Sequence, residues 1–238
     1  MQAAHIGGQK TIWIHGPRTI EMAMVTEPVM EDPTPYNPLA KKNLAASIIS
    51  RLLCQKPWEM PPPKFAGAGV YLIYYTGGFE AYEPLSRANR NGRFAQPIYV
   101  GKAVPAGARK GGEGLDTPHG EALYKRLCKH SESLKSARNL AVTDFKCRWL
   151  VVDEVFITLG ETMLISHFKP LWNLVVEGFG NNPPGGGRAK GKKPMWDIIH
   201  PGRAWAEELS AAMSSETVLS LIARHFDNVR VPPGKFEV

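Results

Sequence analysis

Cysteine is scarce: the chain has three, Cys54, Cys128 and Cys147, widely spaced and without a CxxC pair. That spacing offers neither a disulfide framework nor a zinc site. Each falls on or beside an apolar stripe, where a cysteine serves as a small core residue. Long apolar runs are also lacking, and none approaches the ~18 residues needed to cross a membrane. The first residues show no basic stretch followed by an apolar one, so no secretory leader is expected and the cytoplasm is the expected location. There is no internal repeat. Acidic residues are in the minority, 22 against 29 basic ones, for a net charge of +7. A deficit of that size in a soluble protein points to a polyanionic partner.

What is present suits one elaborated domain, or one domain with arms, of 238 residues. Two apolar segments contain a tyrosine and are bounded by glycine. The first is GAGVYLIYYTG, with Gly69-Val70-Tyr71; the second is PIYVGKAVPAG, with Tyr99-Val100-Gly101. Both read as strands, each beside a glycine that lets the backbone approach something closely. Paired, they bring two phenols near one point, where phenols can position water, bind phosphate oxygens or move protons.

Around them the chain divides into four stretches. Residues 1–37 lack periodicity and end in a proline-rich run, so they read as an arm. Residues 38–60 form a helical extension, with helical spacing over 39–54. A core follows over 61–176, and a basic loop with terminal helices over 177–238. Within the core, Gly77 to Gln96 is polar and long for a hairpin loop, and it carries Arg87, Arg90 and Arg93. A glycine-rich basic loop, Lys102 to Gly120, precedes a helix near Glu121 to Lys135 with Leu123, Leu127 and Leu134 on one face. In DFKCRWLVVD, Phe145, Cys147, Trp149 and Val151 alternate with Lys146 and Arg148, as in a half-buried strand. Thr158 reads as the start of a further helix that Pro170 ends. Glu177 to Gly202 reads as an extended basic surface loop. The order strand, strand, helix, strand, helix gives an α+β fold: a small, mainly antiparallel three-stranded sheet flanked by helices.

Several side chains are candidates for chemistry. Arg126 and His130, four apart, share a helix face. They suit a phosphate oxyanion and a proton, though Lys125 and Lys129 beside them also fit a solvated helix edge. Glu161 completes Thr158-Leu159-Gly160-Glu161, which matches a capping box but also supplies a carboxylate for a hard divalent cation. Asn173, in KPLWN, is a turn residue or a support for a site.

Taken in order, Tyr71, Tyr99, Arg126, Glu161 and Asn173 resemble the GIY-YIG nuclease superfamily. The resemblance is closest to its type II restriction endonucleases that read a GC-rich palindrome. It spans roughly Pro61 to Ala206 and includes the longer strings FKPLWNLVVEGFGN and WDIIHPGRAWAE. His130, four residues after Arg126, points to the restriction branch, because more general nucleases of the superfamily often lack it. The resemblance implies hydrolysis of double-stranded DNA with one divalent metal, Mg²⁺ or Mn²⁺ as its substitute, bound by Glu161. It makes Tyr71 the general base or the group that orients water, and Tyr99 a partner of the phosphate or nucleophile. Arg126 would stabilise the transition state, His130 would accept the Tyr71 proton or hold it, and Asn173 would support the site. It further implies a site of the CCGCGG type, a homodimer or a dimer of dimers, and a cognate methyltransferase in the same system.

Lys102, Arg87, Arg90, Arg93, Arg109, Lys110, Arg188, Lys190, Lys192 and Lys193 are the candidate DNA contacts, to phosphates or to bases. Three other readings are weaker. Asp144-Phe145-Lys146, with Asp116 upstream, is a D-x-K string of another nuclease chemistry, but it leaves the tyrosines unexplained. GGRAKGKK, Gly186 to Lys193, lacks the final Ser/Thr of a phosphate-binding loop. A non-catalytic DNA-binding module needs no lone carboxylate, and a structure-specific or repair nuclease remains the enzymatic alternative.

Overall fold

A computed structural model describes residues 35–105, 120–183 and 191–229. The chain divides into Met1–Tyr36 and Asn37–Val238, and the second unit is the one described below. Arg109, Lys110, Arg188 and Lys190 lie outside the described residues, as does nearly all of the expected arm.

Eight helices and six strands are seen among the described residues. They are α1 (Lys41–Leu53), β1 (Trp58–Glu59), β2 (Gly69–Tyr75), α2 (Glu83–Asn89), β3 (Tyr99–Ala103), α3 (Ala122–Ser136) and β4 (Phe145–Val151). There follow α4 (Glu154–Phe168), α5 (Leu171–Leu174), β5 (Lys192–Lys193), α6 (Met195–Ile199), α7 (Ala204–Glu207), β6 (Ser210–Ala211) and α8 (Ser215–Asn228). The main sheet has four strands rather than three, in the order β1-β4-β2-β3. Every neighbouring pair in it is antiparallel. The additional strand, β1, is two residues long, too short for an alternation to show in the sequence. β5 and β6 form a small parallel pair apart from it.

β2 is central, and all seven of its residues are buried. Successive strand side chains point to opposite faces. Tyr71, Ile73 and Tyr75 therefore pack with Leu123, Leu127 and Leu134 of α3, Trp196 of α6 and Val218 of α8. Val70, Leu72 and Tyr74 pack with Leu52 of α1 and with Ile157, Leu164 and Phe168 of α4. The sheet is thus sandwiched between helices. β3 is an edge strand of it among the described residues.

Four sequence expectations are corrected here. The stretch from Gly77 to Gln96 is not an open loop: it contains a 3₁₀ turn and α2, with Tyr82, Leu85, Ser86 and Asn89 buried. Arg148 is not on a wet face. It is 9% exposed and donates to the Tyr74 hydroxyl at 3.0 Å and the Gln55 carbonyl at 2.9 Å, while Val151 is the exposed residue of β4. Of the cysteines only Cys147 is buried; Cys54 is exposed and Cys128 half-buried. The segment after Glu177 is not all loop, because α6 buries Trp196, Asp197 and Ile199.

A buried polar chain ties α6 to the core. The Trp172 indole donates to the Tyr82 hydroxyl at 3.0 Å, and that hydroxyl lies 2.7 Å from His200 Nε2. His200 Nδ1 is 3.0 Å from Asn139 Oδ1, and the orientation of that amide is fixed by its Nδ2 donating to the Ile199 carbonyl. The arrangement satisfies a neutral imidazole, and burial pushes the His200 pKa down from 6.5 to about 3. Above pH 6.5 both folded and unfolded His200 are neutral and the contribution is fully present. Between that pH and about 3 only the unfolded chain takes the proton, so stability falls with pH by up to ~1.4 kcal/mol per unit from this group. Melting temperature measured from pH 7.5 to 4.5 is expected to drop, with a shallower slope in His200→Gln. A flat wild-type profile would contradict this account.

Candidate active site

The site forms at the β3 edge of the sheet, where side chains of β2, β3, α3 and α4 line one cleft. Tyr71 of β2 pairs directly with Gly101 of β3. With no side chain at Gly101, the Tyr71 ring leans across the edge strand: a Cβ there would collide with the phenol. The close approach expected beside the second tyrosine strand is therefore made to the first tyrosine. Tyr99, two residues before Gly101, shares its face, and the Tyr71 and Tyr99 ring centroids are 6.2 Å apart.

Helix α3 brings Arg126 and His130 to the same face. The spacing of Leu123, Leu127 and Leu134 fixes its rotation, and all three are fully buried. His130 Nε2 and the Tyr71 hydroxyl are 2.6 Å apart, and His130 is 2% exposed. Burial, followed by the charges of Arg126 and Arg203, holds the His130 pKa well below its ordinary value. Burial raises Tyr71 well above its ordinary value, and neighbouring Tyr99 adds to this while Arg126 opposes it. Tyr99 is raised by burial too, again against Arg126. Burial works against the Arg126 charge, but the two phenols outweigh it and hold that charge firmly.

From the other layer, α4 contributes Glu161. Gly160 before it packs against Ile48 and Val70, bringing the helix close to the sheet. Thr158 does not open this helix. Asp153 caps it, its carboxylate accepting from the Val155 N–H at 3.1 Å, and Glu161 lies in the helix interior. The capping-box reading of Glu161 is thereby removed. Lys102, on the α4 side of β3, pairs with Glu161 at 2.9 Å and donates to Thr158 Oγ1 at 3.3 Å.

Tyr71, Tyr99, Lys102, Arg126 and Glu161 line one cleft of about 850 Å³. His130 sits behind Tyr71 as described. Asn173, on α5 rather than in a turn, grips the β3 backbone from outside the cleft. Its Oδ1 accepts from the Val100 N–H and its Nδ2 donates to the Val100 carbonyl, both at 2.8 Å. This grip occupies backbone groups of the edge strand between Tyr99 and Gly101.

The other candidates lie elsewhere. Arg87 is exposed on α2 and pairs with Glu83 at 2.6 Å; Arg90 is exposed in the turn beyond, where Arg93 donates to the Arg87 carbonyl at 2.6 Å. Lys192 is exposed on β5, with Ser210 Oγ at 3.5 Å. Lys146 of the D-x-K string pairs with Glu59 on β1, outside the cleft. The sequence reading gave Lys125 and Lys129 only as a solvated helix edge and passed over Tyr124 and Glu132; all four line the cleft. Lys125, Lys129 and Glu132 are exposed on α3, where charges resemble any solvated helix face.

The donor set limits the metals that fit. Among the described residues no three His, Cys, Asp or Glu side chains cluster as a metal site. Two carboxylates in an open cleft, Glu161 and the exposed Glu132, with no His or Cys cluster beside them, suit a hard cation that keeps most of its waters, not a tetrahedral zinc centre.

Two phenols, a guanidinium and the Glu161 carboxylate at one edge of a small antiparallel sheet are the arrangement expected of the GIY-YIG nuclease class. The family model described as Eco29kI GIY-YIG domain matches residues 63–226, and the chain belongs to that family, one of restriction endonucleases. No curated protein matches the chain. Among the described residues no helix is long and apolar enough to cross a membrane.

Proposed function

We propose that the protein is a type II restriction endonuclease that hydrolyses double-stranded DNA at a short GC-rich palindrome, CCGCGG being the candidate. One divalent cation at Glu161 would assist. The observation that carries this reading is the Tyr71–His130 contact facing the same cleft as Glu161 and Arg126. A DNA-binding module needs no such couple.

Mg²⁺, or Mn²⁺ in its place, held by Glu161 and waters would supply charge neutralisation at the phosphate and the departing oxygen. The remaining work falls to side chains. Arg126, charged at all working pH, binds the phosphate oxygens and stabilises their charge in the transition state. Tyr99 hydrogen-bonds the phosphate or the attacking water. Tyr71 is protonated at rest, since burial disfavours its anion. His130 is neutral for the same reason, and with its proton on Nδ1 its Nε2 accepts the Tyr71 hydrogen bond; the burial that keeps it neutral opposes its charging, so the Tyr71 proton moves to it only in concert with Tyr71 taking one from water. Tyr71 can therefore take a proton from water while passing its own inward. Lys102, Lys125 and Lys129 track the backbone of the duplex. Asn173 keeps β3, and with it Tyr99 and Gly101, in register.

Gly101→Ala tests the crossing of Tyr71 over the strand. Because a misplacement of about 1 Å can cost ~10²-fold, cleavage is expected to fall by about that factor. The variant's melting curve, taken alongside, separates displacement of Tyr71 from unfolding. An unchanged rate would show that Tyr71 need not lie where it does.

A palindrome matches a two-fold pair of subunits, each cutting one strand, so a homodimer or a dimer of dimers is proposed on DNA. A methyltransferase of the same specificity would protect the host. The decisive experiment is incubation with plasmid DNA and Mg²⁺, followed by sequencing of the fragment ends. Discrete fragments ending within one palindrome are expected. A smear, or cutting only at branched or damaged DNA, would indicate a structure-specific nuclease instead, and binding without cleavage in any divalent metal would remove the enzymatic reading.

A further inference from the structure

The turn Gly178–Asn181, after α5, has no part in the chemistry above, yet it lies against three of the residues that do. The Gly180 carbonyl accepts from Arg126 Nη2 at 2.9 Å. The Phe179 ring stacks on His130, with centroids 4.6 Å apart and planes at 17°, and meets Tyr99 edge-on at 5.1 Å. A Cβ on Gly180 would stand 2.7 Å from the Tyr99 hydroxyl and 3.0 Å from Arg126 Nη2. Gly178 has φ of +106°, a conformation that favours glycine.

What holds this turn is Arg203, 5% exposed. Its Nη2 donates to the Gly178 carbonyl at 3.0 Å, and its Nη1 to the carbonyls of Phe179 at 3.2 Å and Asn181 at 3.4 Å. Nε donates to Asp197 Oδ1 at 2.6 Å, and Nη2 also reaches Asp197 Oδ2. All five guanidinium donors are thus matched, and Asp197 is itself 3% exposed. The Trp196 and Trp205 rings lie 4.6 and 4.7 Å from the guanidinium carbon. A structural bridge between α6 and α7 would need only the Asp197 contacts. The three remaining bonds go to successive parts of one turn, and that turn holds Arg126 and covers His130.

We propose that Arg203, held by Asp197, is a positioning residue for cleavage: it fixes the Gly178–Asn181 backbone, which in turn aims Arg126 into the cleft and, through Phe179 stacked on His130, keeps His130 Nε2 at the Tyr71 hydroxyl. The proposal rests on the nuclease reading.

Two variants test it. Arg203→Lys keeps the charge beside Asp197 but cannot reproduce the forked contacts to the turn. Gly180→Ala leaves Arg203 intact and intrudes on Tyr99 and Arg126. Each is assayed for single-turnover cleavage of plasmid DNA with Mg²⁺, for binding of the same DNA without metal, and for melting. The imidazole ¹⁵N resonances of His130 are also recorded by NMR. Both variants are expected to lose about 10²-fold in cleavage rate with DNA affinity changed less than about threefold. The His130 resonances are expected to shift in folded Arg203→Lys, which a bridge between α6 and α7 alone would not cause. If Arg203→Lys does not fold, Gly180→Ala decides. Folded variants that cut at the wild-type rate, or unmoved His130 resonances in folded Arg203→Lys, would overturn the proposal alone. A wild-type protein that cuts no DNA would remove the nuclease reading and the proposal with it.

Discussion

Glu161→Gln is expected to lower single-turnover DNA cleavage by about 10³-fold or more while leaving the fold and DNA binding nearly intact. The substitution keeps size and one acceptor oxygen but removes the charge that would attract a hard cation, and among the described residues Glu161 belongs to no group of three His, Cys, Asp or Glu that could hold the cation without it; the cleft's other carboxylate, Glu132, is exposed on α3. The Lys102 pair is lost as well, but its partners retain 32% and 22% of their side-chain exposure. Pairs this wet contribute ~0–1 kcal/mol, so a loss of activity cannot be ascribed to unfolding. Cleavage measured against Mg²⁺ concentration, with DNA binding followed separately in the absence of metal, checks the prediction. A loss smaller than about tenfold would mean that the cation is not held by Glu161. Because a cation reaching Glu161 competes with the Lys102 ammonium, Lys102→Met is expected to shift that Mg²⁺ dependence to lower concentration when read at saturating DNA, which offsets the loss of its phosphate contact.

Most of the site's side chains were visible in the sequence, and most of their supports were not. The tyrosine strands and α3 have strong periodicity, with Leu123, Leu127 and Leu134 setting the face that carries Arg126 and His130. Glu161 was ambiguous because Thr158-x-x-Glu161 has the form of a cap; only the fold shows that Asp153 caps the helix one turn earlier. Arg148 looked wet because period-two alternation reports one face at a time. It cannot show that β4 is covered on both sides, with an arginine satisfied by a tyrosine and two carbonyls. The Gly178–Asn181 turn was harder still. Its contribution is largely made by backbone carbonyls, which carry no residue signature, and Arg203, which gathers them, lies more than twenty residues away along the chain. The GFGN and HPGRAW strings marked these places without saying what they do.

The Tyr71–His130 couple should behave as one unit. Tyr71→Phe removes only the hydroxyl, and general-base assistance is usually worth ~10²–10⁴-fold, so a loss in that range is expected in single-turnover cleavage. His130→Gln should cost a similar factor, since it removes the acceptor 2.6 Å from that hydroxyl. If Tyr71 gives its proton to His130 as it takes one from water, neither residue is useful without the other. The double variant should then cleave no more slowly than the worse single variant, rather than showing the product of the two losses. Stability must be followed in parallel. Tyr71→Phe leaves His130 Nε2 without its hydroxyl partner in a dry site, a cost of ~1–3 kcal/mol, so rates are compared below the melting temperature of the weakest variant. Multiplicative losses in folded protein would mean that the two residues act separately, with Tyr71 aligning the water and His130 merely packing between Tyr71 and Phe179. A Tyr71→Phe loss below about tenfold would move the base to Tyr99, which faces the same cleft and retains some exposure.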